Sequence, residues 1–458
     1  MASASILDSD PLAFKALDIV SRVKEATMLK PRNSIIPFTW SAMVEETCLR
    51  FFSPSNLSKF IEWYWISWYP HWPVIHKPTF QASATPSTLV AAMVLIGASY
   101  SPEQADRDDS RMWLNVIEEL VFTDEYFCDD VDMITASDLH PSTVQRRRLQ
   151  ALQAAHAMCL CQAYEGDDNS KRRARHHRMN AVVALARAFG FAQGKHTDLR
   201  DTIERGFSWS RFVEREELIR TLIYVFALDS GFLIFYNLPP KLVVQEATVS
   251  LICPEACFQA HTAAECEEYV RMWTSHRLYS PNFSLSSAIE ILCSKQLSPD
   301  HRDLFVEIGS VNLLIIAAVF NSMAFHFRPA LGQIAELVPL QHAISHWGEI
   351  WAARPPPGMR SAFGTSSTEP VSFTSQREMW KRLGFMKHAH EFWMLSRIIV
   401  ERLVASQRHV VHAGDISDHA RRQGQVSGEI PDQYDRGDMN QLRTLILGAI
   451  RSTLSSKE

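Results

Sequence analysis

A chain of 458 residues, 46% of them hydrophobic and 21% charged, can bury a large core. Its net charge of −5 and pI near 6.4 exclude a dedicated nucleic-acid-binding domain, whose pI usually exceeds about 9. The opening MASASILDSDPLAF has no basic region followed by an apolar one, so no secretory signal is expected.

Helical periodicity runs through almost the whole sequence, without an alternating strand series or a fixed repeat. This predicts an all-α protein: a large single helical domain with long surface loops. Residues 1–39 read as a partly helical N-terminal segment and 40–407 as the helical domain. In SNLSKFIEWYWISWY, Leu57, Phe60, Ile61, Tyr64 and Trp68 form one stripe behind a Ser55 or Asn56 cap, and Pro70 ends the helix.

The next run, SWYPHWPVIHKPTF at 67–80, is crowded with rings and prolines. Pro70, Pro73 and Pro78 restrict its backbone, while Trp68, Trp72 and Phe80 can pin it to a core. His71 and His76 can bond backbone groups that a proline-broken segment leaves over. A structural clasp is expected, with an aromatic ligand cage as the alternative.

STLVAAMVLIGASYS is apolar nearly all round, as a central helix is, and a polar-faced helix follows at 104–122. Helices at 143–164 and 171–189 are joined by EGDDNS, the second closing at Gly190. The longest helix runs from Phe212 to Tyr236 and is stopped by Pro239 and Pro240. Further helices are expected at about 264–278, 285–295, 303–326, 331–351 and 376–406. The longest unbroken apolar run, LLIIAAVF at 313–320, is far short of the ~20 residues of a membrane span. Residues 353–370 read as a surface loop, 408–438 as a disordered linker, and 439–458 as a C-terminal helix and tail.

Little in the chain carries reaction chemistry. There is no GxSxG elbow, P-loop or GxGxxG. The eight cysteines contain no CxxC pair, and no histidine pair follows Cys253 and Cys257 at finger spacing, so they read as buried thiols. His342 and His346 are spaced i, i+4 but lack the adjacent glutamate of a zinc helix. Asp129, Asp130 and Asp132, with Asn282, Ser286 and Glu290, resemble the two metal motifs of a magnesium-dependent prenyl diphosphate cyclase. Met133 breaks the first motif, and a capping box of Ser287 and Glu290 explains the second. In KRRARHHR, Lys171, Arg172, Arg173, Arg175 and Arg178 point all round a helix start, where the dipole disfavours cations. That turn is expected to project into solvent, and its functional reading is a nuclear-import run.

Four stretches taken together resemble the middle homology region, the regulatory domain of fungal transcription factors. They are CLRFFSPSNLSKFIEWYWISWYPHWPVIHKPTF (48–80), the RRRLQALQ…ARAFGF helical pair, FVEREELIRTLIYVFALDSGFLIFYNLPPKL, and LICPEACFQA, where Phe258 replaces a frequent Trp. They follow the family's order over roughly 40–260, and the closest likeness is to the subgroup with two-Cys-two-His fingers. The resemblance implies a nuclear, non-catalytic transcriptional regulator without cofactor or membrane contact. Its partners would be the transcription machinery or a DNA-bound factor, together with a small-molecule effector. The stretch before residue 40, with Cys48 the nearest cysteine, cannot build fingers. DNA contact is therefore expected to be indirect, and zinc is expected only with a DNA-binding module upstream.

Within the third stretch the signature residues are Arg215, Glu216, Arg220, Asp229, Pro239 and Pro240. Glu216 and Arg220, four apart, are expected to pair on the helix surface for a few tenths of a kcal/mol. Asp229 lies in an apolar run, where a buried carboxylate needs a cation or backbone donors. An arginine of the 143–164 helix is one candidate partner, and an effector pocket is the alternative reading.

Overall fold

The computed structural model describes residues 10–128, 141–277, 279–327, 337–354 and 376–414. Among these residues the chain is almost entirely helical, and the one strand-like pairing is an isolated bridge between Ser250 and Ser284. The N-terminal helix, Ala13–Met28, lies in the segment read as partly helical. The helices fall into two compact units. One comprises Met1–Gly190, Val213–Val225 and Ser372–Gly384; the other comprises Phe191–Phe212, Phe226–Val371 and Phe385–Glu458.

The first unit is built around Ser87–Ser99, where the even spread of apolar side chains leaves no polar face. All of its residues from Ser87 to Ala98 are buried. Gln104–Phe122, Pro54–Trp63 and Pro141–Glu165 pack on it. Gly97 faces the Phe60 carbonyl so closely that any Cβ would collide with it, so glycine lets two helix backbones touch there.

In the second unit the apolar helix Ser310–Phe327 is packed by Ala389–Gly414 and Val338–Ala353. Its two buried asparagines bond within the unit. Asn321 donates from Nδ2 to Ser396 Oγ at 2.8 Å, and Asn312 both donates to and accepts from the Ile252 backbone at 3.1 Å. Trp347 stacks between Trp351 and Trp393 and donates to the Leu313 carbonyl.

Trp209–Tyr236 contributes its middle to the first unit and its ends to the second. It stops at Asn237, which takes φ +50, with Leu238 between it and the two prolines. This helix and Ser310–Phe327 are each long and apolar enough to cross a membrane by length and composition, yet 78% of each apolar window is buried within the protein.

Several expectations change. The helix foreseen at 303–326 is two, Pro299–Glu307 and Ser310–Phe327, parted at Ile308 and Gly309, with Ser298 capping the first. The stretch 171–189 is interrupted by a π turn at Ala174–Arg178. The capping box near 285 belongs to Ser284 and Ser287, not Ser287 and Glu290, because the helix begins at Leu285. The segment from 376 opens with short 3₁₀ turns before Ala389–Gly414, and that helix runs past 408 into the stretch read as linker. Most of the 353–370 loop, residues 415–438 of that linker and the 439–458 helix and tail lie outside the described residues.

Candidate functional site

The proline-rich run at 67–80 is reached through a π turn at Tyr64–Trp68, whose side chains are all buried. Pro70 has no N–H to give the carbonyl four residues back, at Ile66. Arg382 supplies the missing donor, its Nη2 lying 2.8 Å from Ile66 O. Two residues on, Gly384 meets the Pro70 carbonyl at a distance that no side chain would permit.

Trp68 and Trp72 are buried, and Phe80 is half-buried with its ring edge on Trp65. Pro73 is buried, whereas His71 and Pro78 are partly exposed. Trp72 stacks flat on His156, with centroids 5.4 Å apart and planes 7° from parallel. His156 is carried by Pro141–Glu165, and its Nε2 lies 2.9 Å from the Tyr224 carbonyl, which makes Nε2 the protonated nitrogen. His76 Nδ1 lies 2.8 Å from Thr79 Oγ1.

Two residues of Trp209–Tyr236 hold the backbone of this run. Arg220 donates to the Pro73 carbonyl at 3.2 Å, and Glu217 accepts the His76 N–H at 2.8 Å. The structure therefore brings together three of the stretches singled out in the sequence. Glu216 and Arg220 do pair, at 2.9 Å, but both are fully buried rather than on a helix surface. Residues 216–226 are buried without interruption, so the helix has no polar face on which an exposed pair could sit. Arg215 is exposed.

In the second unit Asp229 accepts the N–H groups of Lys241 at 2.7 Å and Leu242 at 2.8 Å. These are the first backbone donors after Pro239 and Pro240, so the carboxylate caps the turn that the prolines impose.

Glu217 was not singled out from the sequence, though an acid within a helix that lacks a polar stripe is the available signal. It lines a cavity of about 230 Å³ in the first unit, beside His76 and Gln153. Arg146 Nη1 lies 3.9 Å from its Oε2 and 3.4 Å from Glu214 Oε1. Burial raises the Glu217 carboxyl from 4.5 to about 7, against the pull of Arg146 and the His76 N–H. Burial likewise lowers His156 from 6.5 to about 4, against the bond to Tyr224.

These two shifts act on stability in opposite senses. Glu217 keeps its proton in the folded chain after the unfolded chain has lost it. Its contribution is complete below 4.5 and is lost as the pH rises through about 7. The unfolded chain protonates His156 before the folded chain does, so that contribution is complete above 6.5 and is lost as the pH falls towards about 4. Glu217→Gln removes one of the two opposed slopes. Thermal unfolding of this variant is expected to show stability rising with pH between 4.5 and 6.5 more steeply than the parent. Parallel profiles for variant and parent would refute the assignment.

The basic run does not project as expected. Arg173 Nη2 and Arg178 Nε lie 2.7 and 2.6 Å from the carboxylate of Glu118, which is itself buried, so the turn folds onto Gln104–Phe122. The π turn at Ala174–Arg178 separates the two guanidinium groups in register so that both reach one acid. Lys171 and Arg175 are partly exposed and Arg172 is exposed. Arg173→Ala is expected to cost about 1–3 kcal/mol, since Glu118 keeps only one of its two cations, whereas Arg172→Ala should leave the melting point unchanged. Equal melting points for the two variants would show the Glu118 contact to be inconsequential. An import test must accordingly spare Arg173 and Arg178.

All eight cysteines are free and six are buried, with burial pushing the Cys48 thiol up to about 12. Among the described residues no group of three or more histidine, cysteine or acidic side chains is placed to hold a metal. His346 spends Nδ1 on the Leu292 carbonyl. Asn282 and Glu290 are exposed, while Asp129, Asp130 and Asp132 lie outside the described residues.

Residues 61–303 match the profile of the fungal specific transcription factor domain. The chain is 36% identical over 451 residues to transcription factor verF of Penicillium polonicum, covering 96% of this chain and 59% of verF. It is 22% identical over 238 residues to zinc finger protein zas1 of Schizosaccharomyces pombe, covering 50% of this chain and 24% of zas1. It is 20% identical over 255 residues to zinc finger protein klf1 of the same yeast, covering 54% of this chain and 29% of klf1. The chain thus spans about three-fifths of verF and a smaller share of the other two. No solved structure matches it.

Proposed function

Because the chain belongs to the family of fungal specific transcription factor domains, we propose that it is a transcriptional regulator working through this helical region. The family is non-catalytic, in keeping with the absence of reaction motifs from the sequence. The observation that carries the reading is a family match spanning the proline-rich clasp and the Glu216–Arg220 block, the two stretches whose side chains interlock.

The two-Cys-two-His subgroup remains the reading of the sequence, and likeness to two proteins named for zinc fingers supports a finger-bearing relative without fixing the finger type. The chain itself has a net charge of −5 and, among the described residues, no metal cluster. That balance supports a division of labour in which sequence is read by a finger module or a DNA-bound partner. The region proposed here contacts the transcription machinery in the nucleus, away from membranes. The partly exposed Lys171 and the exposed Arg172 contribute to import.

The test is to fuse the chain to an unrelated DNA-binding domain and measure a reporter that carries that domain's site. Expression should change relative to the DNA-binding domain alone, in either direction. A folded, nuclear fusion that leaves the reporter at baseline would refute regulation through this region. Lys171→Ala with Arg172→Ala should lower nuclear accumulation, and an unchanged distribution would remove the import role alone.

A further inference from the structure

The cavity beside Glu217 is lined mostly by polar side chains, with a few apolar ones among them. Thr143, Arg146, Arg147, Gln150 and Gln153 of Pro141–Glu165 recur at helical spacing, so one face of that helix lines it with donors. Ile75, Phe80 and Leu89 add hydrocarbon to the same lining, among the polar side chains of His76, Thr79, Gln81 and Thr85. The donors are not equally committed. Arg146 is shared by Glu214 and Glu217, and Gln153 donates to Thr221 at 3.3 Å. Arg147 is half-buried and has no hydrogen bond or ion pair among the described residues, and the same holds for the Gln150 amide. The half-buried Arg147 guanidinium is therefore open to an incoming acid, since the carboxylate of Glu217 is already engaged by Arg146 and the His76 N–H.

We infer that this cavity is a binding site for a small organic acid, whose carboxylate meets Arg147 and Gln150 while its hydrocarbon lies against Ile75, Phe80 and Leu89. A planar carboxylate matches the two parallel N–H groups of a guanidinium, and the apolar side chains in the lining favour an organic acid over a bare inorganic anion. At about 230 Å³ the space lies just below the ~300–1,000 Å³ of drug-sized pockets, which limits the ligand to a small metabolite. The walls are the clasp, the start of Pro141–Glu165 and Glu217 of the long helix, so occupancy would brace the junction of the family's signature stretches. Binding rests on the cavity alone; only its consequence for transcription rests on the reading above.

Glu217 tunes the site. Around it stand His76 on the clasp, Arg146 and Arg147 on Pro141–Glu165, and Glu214 on its own helix. Lys15 of Ala13–Met28 bonds the Thr85 carbonyl at the rim. When Glu217 is protonated, Arg146 loses a competing anion, so an acid should bind more tightly below pH about 7 than above it.

The experiment is isothermal titration of the full chain with benzoate, its neutral isostere benzamide, and inorganic phosphate. Benzoate should bind saturably and at least roughly tenfold more tightly than either of the others. Arg147→Gln should weaken benzoate by roughly tenfold without moving the melting point of the free chain, and Gln150→Leu should weaken it less. No saturable benzoate heat, benzamide binding as well as benzoate, or both variants binding like the parent would overturn the site. Phosphate binding as tightly as benzoate would overturn the organic-acid assignment. The measurement needs no promoter, so a silent reporter fusion and a failed titration are separate results.

Discussion

Arg220→Met is expected to destabilise the first unit by about 3–5 kcal/mol, the range for removing one partner of a buried ion pair. Arg220 and Glu216 are both fully buried, and Arg220 also supplies a donor to the Pro73 carbonyl. Methionine fills most of the volume, so the loss is electrostatic: Glu216 remains in a medium that cannot solvate it, and the Pro73 carbonyl loses a donor. Replacing both members, as Glu216→Leu with Arg220→Met, should recover a large part of the loss, because the desolvation cost disappears with the charges. Urea unfolding of the parent, the single variant and the double variant measures all three. A single variant within about 1 kcal/mol of the parent, or a double variant worse than the single, would mean the pair contributes no more than an exposed one.

That pair also marks where reading from sequence gives way to structure. Apolar residues at 3.6-residue spacing located the helices, and the prolines and Gly190 located their stops. Periodicity treats a charge as a sign of solvent, and in this protein that rule fails at its most interesting places. Glu216, Arg220, Glu217 and Glu118 are all buried, each held by a residue far away or by its own helix. For the longest helix the available signal was negative: Glu216 and Glu217 open an otherwise apolar stretch in which no polar stripe continues for them to occupy.

The basic run failed for a related reason. A regular helix spreads its charges around the axis, but the π turn at Ala174–Arg178 changes the register, and Arg173 and Arg178 reach one acid. Local sequence gives no warning of an inserted residue. The cavity was illegible for a different reason, since its walls come from residues 75–89, 143–153 and 217, which only the tertiary fold assembles. By contrast, the proline-rich run was legible as a junction because proline acts locally. The donor that Pro70 lacks at Ile66 O is a fixed consequence of its ring, although its replacement by Arg382 is not.

Trp72→Ala should cost about 3–5 kcal/mol, as expected for emptying a fully buried indole site. Its ring is 1% exposed, and its Nε1 has no hydrogen-bond partner among the described residues, so the loss is packing. His76→Ala should cost less, about 1–3 kcal/mol, because the buried imidazole is smaller than the indole and one ring bond, to the exposed Thr79, goes with it. The tryptophan variant carries a second signature. Trp72 covers the face of His156, whose pKa is held down to about 4 chiefly by burial. Removing the indole lets water reach that ring, and its pKa should climb back towards 6.5. The folded variant then takes up the His156 proton over nearly the same range as its unfolded chain. The acid penalty attached to His156 shrinks accordingly, even as overall stability falls. Thermal unfolding across pH measures the first effect, and the ring-proton shifts of His156 measure the second. If the variant melts like the parent and His156 still titrates near 4, the stacked pair is not what holds the clasp to Pro141–Glu165. The anchoring would then pass to the backbone bonds from Arg220 and Glu217.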